Sequence, residues 1–310
     1  MGNCSAKALQ LLLRMNMKTD NNKKPFDRKE AFINIFKSEF NILVKTSIAT
    51  FVFALPTIAV ILWCAAEMIL LGEITSDNAL ELYSIQARMN IWLIPSVAFF
   101  SVGAAGSFYI VRRLVWGEDI SFLNNFFHGI KNNALQSVIS GVLVTALMGG
   151  IGYAVNLFSL KTSLGSAHWM ILIIQIAIYF FLIMLLLFQY CIIAVYSDTM
   201  GRIIKNSIAF TLCSLPKSVA MLILIVLPII LLLIFGNVYW IYLLITVLMG
   251  IVGFGYAILI FTLHAHSVFD KYINKANFSH IYKKGLYHEG TNIDLDPDDY
   301  AVEGSNMDVQ

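Results

Sequence analysis

Long apolar runs alternate along this 310-residue chain with short polar segments that carry its cations. About twenty apolar residues in a helix cross a bilayer, and six runs meet that length. They are Thr46 to Ala66, Ile91 to Val111, Ala134 to Leu160, Trp169 to Ser197, Ser218 to Phe235 and Tyr239 to Leu263. From Ser218 to Leu263 no Asp, Glu, Lys or Arg occurs. A single helix of that length would be more than twice the roughly 30 Å hydrocarbon thickness. The stretch is therefore predicted to be a hairpin turning at Gly236-Asn237. Pro56, Pro95 and Pro228 lie inside spans one, two and five.

Three polar segments show helical spacing of apolar residues just before a span. In Ala31 to Asn41 these are Phe32, Phe36 and Phe40. In Ile120 to Lys131 they are Phe122, Leu123, Phe126, Phe127 and Ile130. In Arg202 to Leu215 they are Ile204, Ile208 and Leu215. Each is predicted to be a short amphipathic helix lying in the interface, and three such units suggest a degenerate internal repeat.

Composition supports the membrane class: 58% of residues are hydrophobic, only 13% are charged, and mean hydropathy is +0.75. The net charge of +2 gives no reason to expect nucleic-acid binding. The distribution of charge says more than its sum. With six spans, nineteen of the twenty-one Lys and Arg residues fall on one side, and only Arg88 and Lys161 on the other. The positive-inside bias then places both termini in the cytoplasm. Trp92, Trp169, Tyr239 and Trp240 mark the outer interface, and Trp116 the inner one.

Three divisions follow: a basic segment over residues 1–30, a membrane domain over 31–265, and a cytoplasmic tail over 266–310. From Gly285 the tail holds seven acids and no Lys or Arg, which reads as solvated and disordered. The first residues read as neither a cleaved signal peptide nor a myristoylation site, since position 6 is Ala6.

The stretch from Ala104 to Asn133 resembles the signature region of the YesL-like bacterial membrane proteins. The pieces are Gly106, the pair Arg112-Arg113, Gly117-Glu118-Asp119, Phe126-Phe127 and Lys131-Asn132-Asn133. Leu55-Pro56 and Lys205-Asn206-Ser207 also fit, so the resemblance covers roughly residues 30–265. That family is a domain of unknown function, so the resemblance carries over no catalytic residue. It implies a bacterial plasma-membrane protein associated with carbohydrate uptake.

Candidate chemistry is sparse. No charged residue lies in the middle of a span, which argues against a proton-driven pump. Glu67, just past span one, is expected to reach the interface. Gln175, Tyr179 and Gln189 share one side of span four and either line a polar path or bond across helices. Gly103, Gly106, Gly149, Gly150, Gly152, Gly250, Gly253 and Gly255 are expected to let helices approach closely. His264 and His266 point about 200° apart on a helix and do not suit one metal; His266 is placed to pair with Asp270, four residues on. Cys64, Cys191 and Cys213 read as small buried apolar residues. Catalytic triads, HExxH and phosphate loops are missing from the sequence, and no cofactor is implied.

The expectation is an all-α six-helix membrane bundle in contact with the lipid bilayer, acting as a non-enzymatic accessory or assembly factor. Its docking surface would be Arg112, Arg113, Phe126, Phe127 and Lys131, together with the acidic tail, and its partner a carbohydrate transport system. The alternative is a small transporter or channel for a neutral solute, with Gln175 and Gln189 lining its path. A membrane sensor, resting on the tail, is a third reading.

Overall fold

The computed structural model describes residues 27–72, 79–161, 167–196, 198–235, 247–278 and 281–286. The Gly236-Asn237 turn, Tyr239, Trp240, the basic residues before 27 and the acidic tail from 287 lie outside the described residues.

Every regular element among the described residues is helical. In chain order these are α1 (Arg28–Ser38), α2 (Phe40–Leu71), α3 (Ala79–Val115), α4 (Phe122–Lys161), α5 (Ala167–Val195), α6 (Met200–Cys213), α7 (Leu215–Phe235) and α8 (Phe254–Phe269). A π-helical turn precedes α8 (Met249–Gly253), another follows it (Asp270–Asn274), and a last helical turn, α9, covers Lys275–Asn277. Five helical stretches are long and apolar enough to cross a membrane, and six if α6 and the first part of α7 form one broken span. The chain is an all-α, multi-pass membrane protein.

The three interfacial segments take three different forms. α1 is a separate helix. Asp27 accepts a hydrogen bond from the Arg28 N–H, and Glu30 accepts one from the Asp27 N–H, a reciprocal cap that fixes its start. Glu39 then breaks the chain before α2. α6 is also separate and meets α7 at a bend of 92° at Ser214. The middle segment differs from expectation: Phe122 to Lys131 is the first part of the unbroken 40-residue α4. No Gly or Pro interrupts Lys131-Asn132-Asn133-Ala134, and the two Asn, though of a capping type, do not start a new helix, so α4 runs straight into its span. The three units are therefore not copies of one local structure.

The main core sits at one end of the bundle. Ile110, Val111, Phe126, Phe188, Ile203, Phe261 and Phe269 pack together there, from five helices that converge on that end. α3 runs against α2 and α4, and α8 inserts between α2 and α3. Two close approaches allow this. A Cβ at Gly106 would lie 2.8 Å from the Phe126 ring and 2.9 Å from its carbonyl oxygen, so only glycine lets α3 and α4 meet there. A Cβ at Gly255 would lie 2.5 Å from the Leu43 carbonyl oxygen, which brings α8 against α2. At that contact the Ser47 hydroxyl donates to the Gly250 carbonyl at 3.1 Å and accepts from the Phe254 N–H at 3.2 Å. The first is a backbone group of the π turn and the second opens α8, so Ser47 ties α2 to the place where the π turn passes into the regular helix.

The helix carrying His264 and His266 continues unbroken past residue 265 to Phe269. Leu286, in the segment that follows, joins the main core. Cys64 and Cys191 are buried, whereas Cys213, at the last turn of α6, is exposed.

Candidate functional site

The end of α3 organises the polar side of that packed end. Arg112 and Arg113 close the last turn of the helix, and Gly117, with φ of 67°, turns the chain sharply. The turn brings Glu118 back onto the two arginines, 3.7 Å from Arg112 and 3.2 Å from Arg113. Lys284, from the far end of the described chain, reaches the same carboxylate at 2.8 Å. One acid thus holds three cations in place. Arg112 and Lys284 also lie over the Trp116 ring, at 4.4 and 4.3 Å from its centroid. Arg112 donates from Nη1 to the Ala194 carbonyl at 3.0 Å, satisfying an orphan acceptor at the end of α5.

A second knot ties α1 to the chain after α8. Arg28 and Asp270 form a largely buried ion pair. Burial lowers the pKa of the Arg28 guanidinium, and the Asp270 carboxylate opposes that shift. Asp270 also accepts from the Asn274 side-chain amide at 2.8 Å and from the Lys283 N–H at 3.2 Å. The pairing expected between His266 and Asp270 is thereby replaced: Asp270 is taken by Arg28, and His266 packs edge-on against Trp116. His264 bonds to the Ser218 hydroxyl at 2.9 Å, joining α8 to α7.

The expected docking surface is divided. Arg112 and Arg113 are engaged within the molecule. Phe126 is 4% exposed and packs beneath Gly106, whereas Phe127 is 61% exposed. Adjacent helix positions diverge by about 100°, so a run from Phe122 to Ile130 spans too wide an arc for one face. Phe122 and Phe126 turn inward. Leu123, Phe127 and Lys131, spaced by four, remain exposed.

The polar trio of α5 is divided too. The Gln175 amide donates to the Tyr179 hydroxyl at 2.9 Å, and that hydroxyl donates to the Met148 carbonyl of α4 at 2.9 Å. Gly152 makes room, since a Cβ there would lie 2.5 Å from the same hydroxyl. These contacts hold two helices together. Gln189 is about 21 Å further along the helix than Gln175, fully buried, and neither atom of its amide has a hydrogen-bond partner among the described residues. At the opposite end of α2 and α3, Glu67 and Arg88 pair at 2.8 Å.

Two cavities open on the cationic end, of about 800 and 780 Å³, and Arg112, Tyr196, Asp198 and Arg202 line both. The first adds Lys131, Asn132 and Gln136 from the start of α4, and the second adds Lys284. Sequence reading missed Tyr196, Asp198 and Asn132 as lining residues. The available signal was the polar cluster that begins where the apolar run of α5 stops. Among the described residues no three His, Cys, Asp or Glu side chains converge as a metal site would require.

No family model, curated protein or solved structure matches the chain.

Proposed function

We propose that this is a non-enzymatic protein of a bacterial plasma membrane that serves as an accessory or assembly factor, docking another membrane protein through its cation-rich end. In this reading that end and both termini face the cytoplasm, as the distribution of Lys and Arg favours. The observation that carries the reading is the exposed stripe of Leu123, Phe127 and Lys131, at the end of the bundle where the aromatic and cationic side chains collect. An apolar pair rimmed by a cation suits a protein contact whose centre is apolar and whose edge is polar. The resemblance of residues 104–133 to YesL-like proteins favours a carbohydrate uptake system as the partner.

Crosslinking in intact membranes tests the reading. The wild-type chain is expected to capture a discrete partner, and Leu123→Ser with Phe127→Ser to lose it while keeping the fold. A chain that captures nothing, or captures equally well with both residues replaced, would refute it.

One observation favours a second reading, transport of a neutral solute: the buried amide of Gln189 has no partner among the described residues. A cysteine at that position that reacts with an aqueous thiol reagent would support a water-filled path. A blocked position would support packing.

A further inference from the structure

We infer that the cavity between the start of α4, the end of α5 and the start of α6 is a binding site for a phosphate-bearing anion. Four observations converge on it.

The first is charge. Arg112, Lys131 and Arg202 line the cavity; among the described lining residues the one carboxylate is Asp198, while Glu118, outside the lining, is shared by Arg112, Arg113 and Lys284. The Asp198 carboxylate is already engaged, accepting from the Thr199 N–H at 2.9 Å and from Arg202 at 3.2 Å. The cavity therefore keeps an excess of positive charge.

The second is the supply of neutral donors. Asn132, Asn133 and Thr199 line the same space, with one amide N–H of Asn132 directed to His128 and the Tyr196 hydroxyl already donating to Asn274. Gln136 donates to the Asp198 carbonyl at 2.9 Å and ties the wall from α4 to the loop before α6. The Arg112 Nε–H is buried and has no acceptor among the described residues. A phosphate group accepts several charge-assisted hydrogen bonds at once, and a guanidinium matches it in shape.

The third is the start of α6. This 14-residue helix begins at Thr199, whose side chain makes no capping bond. Thr199 and Arg202 of that first turn both line the cavity. Uncapped N–H groups at a helix start carry partial positive charge and favour anions. Here they add to the three cations.

The fourth is position. Lys131, Asn132 and Asn133 come just before the apolar run of α4, and Tyr196 and Asp198 follow the last helical residue of α5, Val195. The cavity thus lies at the polar boundary of the spans. Leu135 and Ile139, each three residues on from the lining residues Asn132 and Gln136, are exposed on α4. Basic pockets between helices at this level suit the head groups of anionic lipids. The volume of about 800 Å³ holds a head group or a small soluble phosphate ester.

The cavity shares Lys131 with the docking stripe but not Leu123 or Phe127, so Leu123→Ser with Phe127→Ser should leave phosphate binding intact. The test uses the full-length chain in an uncharged detergent. Native mass spectrometry follows titration with phosphatidylglycerol, with phosphatidylcholine as control, and calorimetry follows titration with glycerol 3-phosphate. The chain is expected to retain phosphatidylglycerol over phosphatidylcholine, and Lys131→Gln combined with Arg202→Gln to weaken retention about tenfold or more. Both side chains are exposed, so the double variant should keep its melting temperature. Binding of the lipid alone assigns the site to a membrane head group, and binding of glycerol 3-phosphate assigns it to the phosphate itself. No preference for either phosphate probe over the control, or equal binding by the double variant, overturns the inference.

Discussion

Glu118 and Lys284 are 166 residues apart in sequence and meet at 2.8 Å. The contact fastens the segment after α8 to the turn after α3, and it lets one carboxylate neutralise Lys284 together with Arg112 and Arg113. Leu286 is buried two residues further on, and a Cβ at Gly285 would collide with the Val115 carbonyl. The last described segment is therefore seated against the end of α3 and is part of the packed end.

Replacing Glu118 with Gln would leave three partly buried cations without their anion. The expected loss is about 1–3 kcal/mol, seen as a lower melting temperature in detergent. The peptide bonds near Lys284 should also be cut faster by trypsin, whereas the Arg88–Glu67 end should be unaffected. A variant as stable and as resistant as wild type would show that the three cations do not need this acid.

The Arg28–Asp270 pair predicts an asymmetric double-mutant cycle. Asp270→Asn leaves a buried guanidinium unpaired and should destabilise by about 3–5 kcal/mol. Adding Arg28→Met to it should recover a large part of that loss, because the stranded charge is removed. Thermal unfolding of the four proteins measures the coupling. Losses that simply add would mean that the two residues act separately.

Tyr196 carries a prediction about pH. Its hydroxyl donates to Asn274, and burial raises its pKa above the ordinary value of 10, with the nearby Asp270 carboxylate adding to the shift. A group whose pKa is raised in the folded state contributes stability that is fully present below its unfolded pKa. That contribution is lost as pH rises through the folded value. The stability difference between wild type and Tyr196→Phe should thus be flat below pH 10 and shrink above it. A difference that is constant across the alkaline range would contradict the assignment.

Two packing positions make opposite predictions. Gly106→Leu should drive a side chain into Phe126 and cost about 1–3 kcal/mol or more. Gln189→Leu removes a buried amide that has no partner among the described residues and should raise stability by about 1–2 kcal/mol. Melting temperatures in the same detergent check both. A destabilised Gln189→Leu would mean that the amide is satisfied by something bound in the native protein, which favours the transport reading.

The spans were legible because uncharged length is a strong physical constraint: the helices contain the runs from Thr46, Ile91 and Ala134 with extended ends, whereas the run from Trp169 leaves the helix after Val195, short of its expected end at Ser197. The uninterrupted α4 was less legible. Its first part carries the composition of an interfacial helix, and only the want of a breaker after Lys131 signals continuity. The close approach at Gly106 could be anticipated as small-residue packing, but its partner Phe126 could not, because side-chain direction depends on where α3 docks. The cationic cavity draws on residues from four separate segments, among them Arg112, Lys131, Tyr196 and Arg202. Each looks like an ordinary helix-end residue alone. Their convergence is a tertiary property, and so is the hub at Glu118, whose third cation comes from the far end of the chain.

The account depends most on all these cations lying together on the cytoplasmic side of a repeatedly crossed membrane. Single cysteines placed in a cysteine-free background and probed in intact cells with a membrane-impermeant maleimide measure this directly. Arg88→Cys is predicted to react from outside, and Lys131→Cys and Arg202→Cys only after the cells are permeabilised. Reaction of Lys131→Cys or Arg202→Cys in sealed cells, with Arg88→Cys protected, would contradict it.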